Sequence, residues 1–223
     1  MPRVMNGDSF SCDLVSWDLS YRLARDLAEN IKSSGYRPDL VIAIGRGGYV
    51  PARVVCDFLL HDLLTSMKVE HWGVAAQKKD KAQVRFPLAV DVRGQKVLIV
   101  DDVTDTGDTL QIAVSYVEGF APKEIKTGVL QHKTTSSFEP DYYAEKVTQW
   151  KWIIYPWAVH EDLVGFVENV LSEDLVSLEA VGAELARRYL IVVDVTELEG
   201  ALEDLSALGK AEKKGSLYRI ATG

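Results

Sequence analysis

Apolar residues recur along this chain at two spacings, and the switches between them predict its elements. Trp17, Tyr21, Ala24, Leu27, Ala28 and Ile31 fall at helical intervals with charged residues between them, predicting a helix over 16–33 that closes near Gly35. Pro38 and Asp39 lead into an apolar run over 40–44, too short for a helix and read as a buried strand. Gly45, Arg46, Gly47 and Gly48 form a loop at its end, and Pro51 opens a second helix with Ala52, Val55, Cys56 and Leu59 on its inner face. Met67, Val69 and Trp72 mark another strand. A third apolar run covers 97–100, followed by a helix over 110–119 and strands around 127–130 and 152–154. Strand and helix alternate from about residue 39 to 130, the pattern of an α/β fold with a doubly wound, mostly parallel sheet. From Ser172 the texture changes to helices over 178–189 and 195–208 and a turn or hairpin over 209–221. The pattern therefore divides the chain into a main domain over 1–171 and a small, mainly helical subdomain over 172–223.

The richest stretch is Val97 to Thr109, VLIVDDVTDTGDT. Four apolar residues read as a buried parallel strand, with Asp101 and Asp102 at its C-terminal end. Thr104, Asp105, Thr106, Gly107, Asp108 and Thr109 then form a tight loop that opens a helix. Ligands of open α/β sheets collect at the carboxyl ends of strands, and a loop opening a helix offers unpaired amides to anions. Paired acids beside such a loop point to a ligand with a phosphate and either hydroxyls or a metal. Ionised carboxylates accept hydroxyls and bind hard cations, and two adjacent like charges are costly unless a cation or donors offset them.

Composition narrows the partners. The chain has 223 residues and a formal net charge of −8, with 47% hydrophobic and 26% charged residues. A protein that tracks a nucleic-acid backbone is ordinarily basic or carries a basic stripe, so nucleic acid is disfavoured as the primary ligand. The densest basic stretch, Gln77 to Arg85, reads as a mobile loop. No apolar run reaches the roughly 20 residues needed to span a bilayer, and the first residues lack an apolar signal core, so a cytoplasmic location is expected. Cys12 and Cys56 read as reduced, non-catalytic thiols.

Across all thirteen positions, VLIVDDVTDTGDT resembles the phosphoribosyl-diphosphate signature of the type I phosphoribosyltransferases. The resemblance extends over roughly residues 15 to 160. It is closest to the purine branch, with RPDLVIAIGRGGYVPARV similar to the archaeal purine enzymes. It implies that Asp101 and Asp102 hold the ribose 2′- and 3′-hydroxyls, directly or through Mg2+. It assigns the 5′-phosphate to the loop of Asp105, Thr106, Gly107, Asp108 and Thr109, and the diphosphate to Arg46, Gly47 and Gly48, a loop that often carries a non-proline cis peptide. A carboxylate facing phosphate would repel it, so Asp108 is expected to point outward or to cap the following helix. Asp105 would shuttle the proton at N7 of the base, with a loop-shaping role as the plain alternative.

For the base, the resemblance implies Lys133 as donor to a 6-oxo group, Trp152 as stacking platform and the Ile153 carbonyl at the Watson–Crick edge. An exposed cation and a core aromatic are the plain alternatives for Lys133 and Trp152. Relatives carry an aspartate six or seven residues beyond the stacking aromatic, near the diphosphate-side metal. Here Ala158 and Val159 stand there, leaving Glu161, Asp162 or water and ligand alone to serve. Residues 73–86 match the family's mobile hood, with Lys78, Lys79, Lys81 and Arg85 as diphosphate contacts or a solvated basic loop.

The implied activity is transfer of a phosphoribosyl group from phosphoribosyl diphosphate to guanine, hypoxanthine or xanthine in purine salvage, by a homodimer or higher homo-oligomer. The rival is a transcriptional regulator that senses the ribosyl diphosphate or a purine through the same loop, with the C-terminal segment as a degenerate winged helix. Ten acidic against six basic residues from Ser172 onward, and Glu197, Glu199, Glu203 and Asp204 on the would-be recognition helix, weigh against DNA.

Overall fold

The computed structural model describes residues 9–72 and 81–221. In chain order its elements begin with β1 (Cys12–Leu14), α1 (Trp17–Ser33), β2 (Leu40–Gly45), α2 (Tyr49–Leu59), β3 (Leu64–Trp72) and β4 (Lys81–Phe86). Then come β5 (Lys96–Thr104), α3 (Asp108–Glu118), β6 (Glu124–Lys133), β7 (Tyr142–Val147), β8 (Trp152–Ile154) and α4 (Val159–Val170). The chain ends with β9 (Val176–Ser177), α5 (Leu178–Tyr189), α6 (Val195–Ala207), β10 (Ala211–Lys214) and β11 (Leu217–Ile220). These elements form two compact units, Trp17–Trp150 and Met1–Ser16 with Lys151–Gly223.

The first unit is built on a six-stranded sheet in the order β4-β3-β2-β5-β6-β7, parallel except for β4 at one edge. Alternation along the central strands divides the core. Leu40, Ile42 and Ile44 of β2 join Val97 and Ile99 of β5 and Leu110, Ala113 and Val117 of α3 in one cluster. Val41, Ala43, Leu98 and Val100 point to the opposite face and are equally buried. Helices α1 and α2 pack together, with α1 against β6 and β7 and α2 against β2 and β5. Each crossover leaves the sheet centre in a different direction, β2 to β3 one way and β5 to β6 the other, so the switch point lies between β2 and β5.

The helix expected over 16–33 is α1, closed by Gly35 at φ +78°. Its buried stripe is Leu23, Ala24, Leu27, Ala28 and Ile31, whereas Trp17 and Tyr21 at the same spacing stay exposed. Tyr21 instead lies over the Phe58 ring of α2, with centroids 5.5 Å apart. Pro51 falls in the first turn of α2, two residues after its start, where its missing N–H costs nothing. Part of the expected hood is the edge strand β4, paired antiparallel to β3, so residues 81–86 are sheet. Lys78 and Lys79 lie outside the described residues.

The second unit does not begin at residue 172. Helix α4, which the pattern did not predict, supplies Leu163, Phe166 and Val167 to a core shared with Val181, Leu185 and Tyr189 of α5 and Leu198, Ala201, Leu202 and Leu205 of α6. Ala211 and Tyr218 of the hairpin close that core, and β9 pairs with β11 to make a three-stranded antiparallel sheet in the order β10-β11-β9. Strand β1 pairs in parallel with β8. Among the described residues no helix is long and apolar enough to cross a membrane.

Leu98 is fully buried in the central strand of the first unit. Leu98→Ala is expected to cost about 2–5 kcal/mol of stability, read as a lowered urea midpoint by far-UV circular dichroism.

Candidate active site

Strands β2 and β5 pair in parallel from Leu40↔Val97 to Ala43↔Val100, so the loops after them emerge side by side. Strand β5 runs on through Asp101 and Asp102 to Thr104, so the paired acids sit in the last part of the strand rather than beyond it. Asp101 is buried, and its Oδ1 accepts the Asp102 backbone N–H at 2.9 Å. Burial first, and then the neighbouring Asp102 charge, hold the Asp101 carboxyl well above the usual range.

The glycines of the β2 loop are required by close approach. A Cβ added at Gly47 would collide with the Asp102 carboxylate, and one at Gly48 would strike the Val100 carbonyl. The Gly45–Arg46 peptide is cis, as the resemblance implied, and Arg46 is exposed. The two strand-end loops read separately from the sequence are therefore in contact.

Beyond β5 the chain turns into α3, which starts at Asp108 and not near Leu110. Gly107 holds the N-cap position at φ +94°, where a Cβ would also strike Phe138 and Ser136. Asp108 is exposed, as one expectation had it, but it does not cap the helix: it lies in the first turn, and its Oδ2 accepts the Thr106 hydroxyl at 3.0 Å. The segment after β6 braces this loop, a contact the sequence did not disclose. The Ser137 N–H and hydroxyl both donate to the Thr106 carbonyl, at 3.0 and 2.9 Å. The amides at the start of α3 thus form a nest of the kind that receives phosphate.

Lys133 is the last residue of β6, which continues past the expected end at Leu130. The register Thr104↔His132 sets it beside Asp105. Its Nζ donates to Asp105 Oδ1 at 3.0 Å; the lysine side chain is only 3% exposed, the carboxylate 32%. This rules out the exposed-cation reading of Lys133. Trp150 completes the group: its indole Nε1 donates to the same Oδ1 at 3.3 Å, and Lys133 Nζ lies 5.1 Å from its ring centroid. Only its aromatic character, two residues ahead of Trp152, could have drawn attention to it.

Trp152 and Ile153 belong to the second unit. There the Trp152 ring meets Phe166 edge-on at 6.5 Å, its buried Nε1 has no hydrogen-bond partner among the described residues, and Ile153 pairs opposite Asp13. Glu161 and Asp162 lie in the first turn of α4 in that unit. Cys12 and Cys56 are free, and burial pushes their thiols up to about 12 and about 11, with the Asp162 charge adding to the first. Neither is a thiolate nucleophile near neutral pH.

The phosphoribosyl transferase domain model matches residues 13–162, a span that includes both strand-end loops and Lys133. The chain is 32% identical over 146 residues to the xanthine-guanine phosphoribosyltransferase of Gluconobacter oxydans, covering 64% of this chain and 82% of that protein. It is 28% identical over 188 residues to the hypoxanthine-guanine phosphoribosyltransferase of Saccharomyces cerevisiae, covering 64% and 84%. Among solved structures, the purine phosphoribosyltransferase of Pyrococcus horikoshii aligns with a TM-score of 0.59 and 31% identity, over 66% of this chain and 93% of that one. The chain therefore belongs to the type I phosphoribosyltransferase family, in its purine branch.

Proposed function

We propose that this chain transfers the 5-phosphoribosyl group from 5-phospho-α-D-ribosyl 1-diphosphate to a 6-oxopurine (guanine, hypoxanthine or xanthine), releasing diphosphate, in salvage of free bases. One observation carries the reading: Asp102 lies against the Gly45–Gly48 loop, while three residues further on Asp105 pairs with a buried lysine beside the amide nest of α3. Such a constellation complements a phosphate, a ribose diol, a diphosphate and an oxopurine edge at once.

In this reading the amides of Gly107, Asp108 and Thr109 take the 5′-phosphate, and the Thr106 hydroxyl engages the Asp108 carboxylate, which would otherwise repel it. Asp101 and Asp102 accept the ribose hydroxyls. Arg46, Gly47 and Gly48 receive the diphosphate through close backbone approach and the guanidinium charge. N9 of the base bonds to C1′ as the bond from C1′ to the diphosphate oxygen breaks. That electron pair leaves with diphosphate, C1′ inverts, and the base proton passes to Asp105. The transition state resembles an oxocarbenium ion, by analogy with other glycosyl transfers, and carboxylates beside the ribose favour its positive charge. Lys133 has donors and no acceptor, which favours a 6-oxo over a 6-amino purine.

Magnesium fits the donor set. Asp101 and Asp102 are adjacent hard oxygen ligands, and a cation there would favour the ionised form of an Asp101 carboxyl that burial and the Asp102 charge otherwise disfavour. When bound, it would neutralise charge on the diphosphate.

The order α4-β9-α5-α6-β10-β11 supports a winged-helix-like reading of the C-terminal part. Glu197, Glu199, Glu203 and Asp204 of α6 are all exposed, a surface that repels a phosphate backbone and disfavours the regulator.

Purified protein with magnesium and the ribosyl diphosphate is expected to form a nucleoside monophosphate from at least one of the three oxopurines and none from adenine; silence with all three would sink the proposal. Asp105→Ala should lower kcat at least about tenfold while keeping KM for the ribosyl diphosphate. An unchanged single-turnover rate would remove Asp105 from the chemistry. Gly47→Ala, which drives a methyl group into the Asp102 carboxylate, should lower kcat/KM for the ribosyl diphosphate on the order of 100-fold in a protein with unaltered circular dichroism. Wild-type kinetics there would dissociate the Gly47–Asp102 contact from substrate binding.

A further inference from the structure

We infer that Trp150 is a positioning residue that fixes which oxygen of Asp105 meets the base, an inference that rests on the phosphoribosyl-transfer reading. Three neighbouring parallel strands deliver the group. Asp105 is the first residue beyond β5, Lys133 is the last of β6, and Trp150 lies three residues beyond β7. The end of β7 is tied to the residue that follows β6 by the Thr134 N–H, which donates to the Val147 carbonyl at 2.9 Å.

Both donors fall on one atom. Lys133 Nζ and Trp150 Nε1 reach Asp105 Oδ1 at 3.0 and 3.3 Å, and among the described residues no donor bonds Oδ2. Rotation of the carboxylate would break both bonds, so Oδ1 is held and Oδ2 is the oxygen presented for proton transfer. The two donors are not equivalent. Lys133 is also the donor assigned to the 6-oxo group, so a bound base competes with Asp105 for its ammonium. The indole has a donor, no acceptor and no titration in the accessible range, so it holds Oδ1 whether Asp105 is charged or protonated. Its ring face beside Lys133 Nζ further limits where the ammonium can go. Trp150 thus keeps the carboxylate oriented while Lys133 is shared.

Trp150→Phe tests this contribution, since it retains an aromatic ring beside Lys133 while deleting the indole N–H along with part of the bicyclic ring. Its kcat is expected to fall about tenfold, as for loss of a hydrogen bond to a charged group, with KM for both substrates within about twofold. A second measurement needs no turnover. The five tryptophans give five indole N–H signals in a proton–nitrogen correlation spectrum. The signal missing from Trp150→Phe should shift upfield in Asp105→Ala, where its acceptor is gone. An active wild type whose kcat survives Trp150→Phe, or an indole signal unmoved by Asp105→Ala, overturns the inference alone. A wild type inactive with every oxopurine removes the transfer reading and the inference together.

Discussion

The parallel pairing of β2 with β5 is the constraint on which the site depends. Strands in a sheet lie about 4.8 Å apart, so once Ala43 stands opposite Val100 the loops that follow have almost no room between them. Glycine at 47 and 48 is the consequence, because any side chain there would displace the Asp102 carboxylate or the β5 backbone. A slip of one residue would turn Asp102 to the opposite face and separate it from the loop.

A second constraint arises one strand over. An ammonium as buried as that of Lys133 is tolerated only with a partner, and Asp105 is that partner. Such a pair contributes little net stability, since desolvation offsets much of the attraction. Under the proposed transfer its value is chemical: it keeps a carboxylate and a donor together for a purine edge that carries both a proton and an oxo group. The neighbouring nest is stiffened from outside, by Ser137 on the Thr106 carbonyl and Phe138 against Gly107, so the β6–β7 connection shapes a loop that belongs to β5.

The second unit follows a different logic. Its core is one cluster drawn from α4, α5, α6 and the hairpin, with α6 contributing four buried residues and an acidic exposed face. Because α4 shares that core, the compact unit takes in residues well ahead of the change in sequence texture at Ser172. Composition registers what a segment is made of, whereas a domain boundary is set by which apolar faces bury one another. Leu163, Phe166 and Val167 carry the helical spacing of α4 and turn its apolar face into that core.

What the sequence determined by itself was local. Runs of apolar residues define β2 and β5, glycine and small polar residues mark the loops after them, and the motif from Val97 to Thr109 identifies the family. Periodicity placed α1, α5 and α6 within a residue of their ends, because an amphipathic face is a property of consecutive positions. The extent of β5 and β6 was not legible, since Asp101, Asp102 and Lys133 are polar residues that only neighbouring strands hold in sheet. Nor was the partnership of Asp105, Lys133 and Trp150, residues tens of positions apart that meet because β5, β6 and β7 lie side by side in register. A hydrogen bond between distant residues depends on distances of a few tenths of an ångström, and those exist only after the whole sheet has packed.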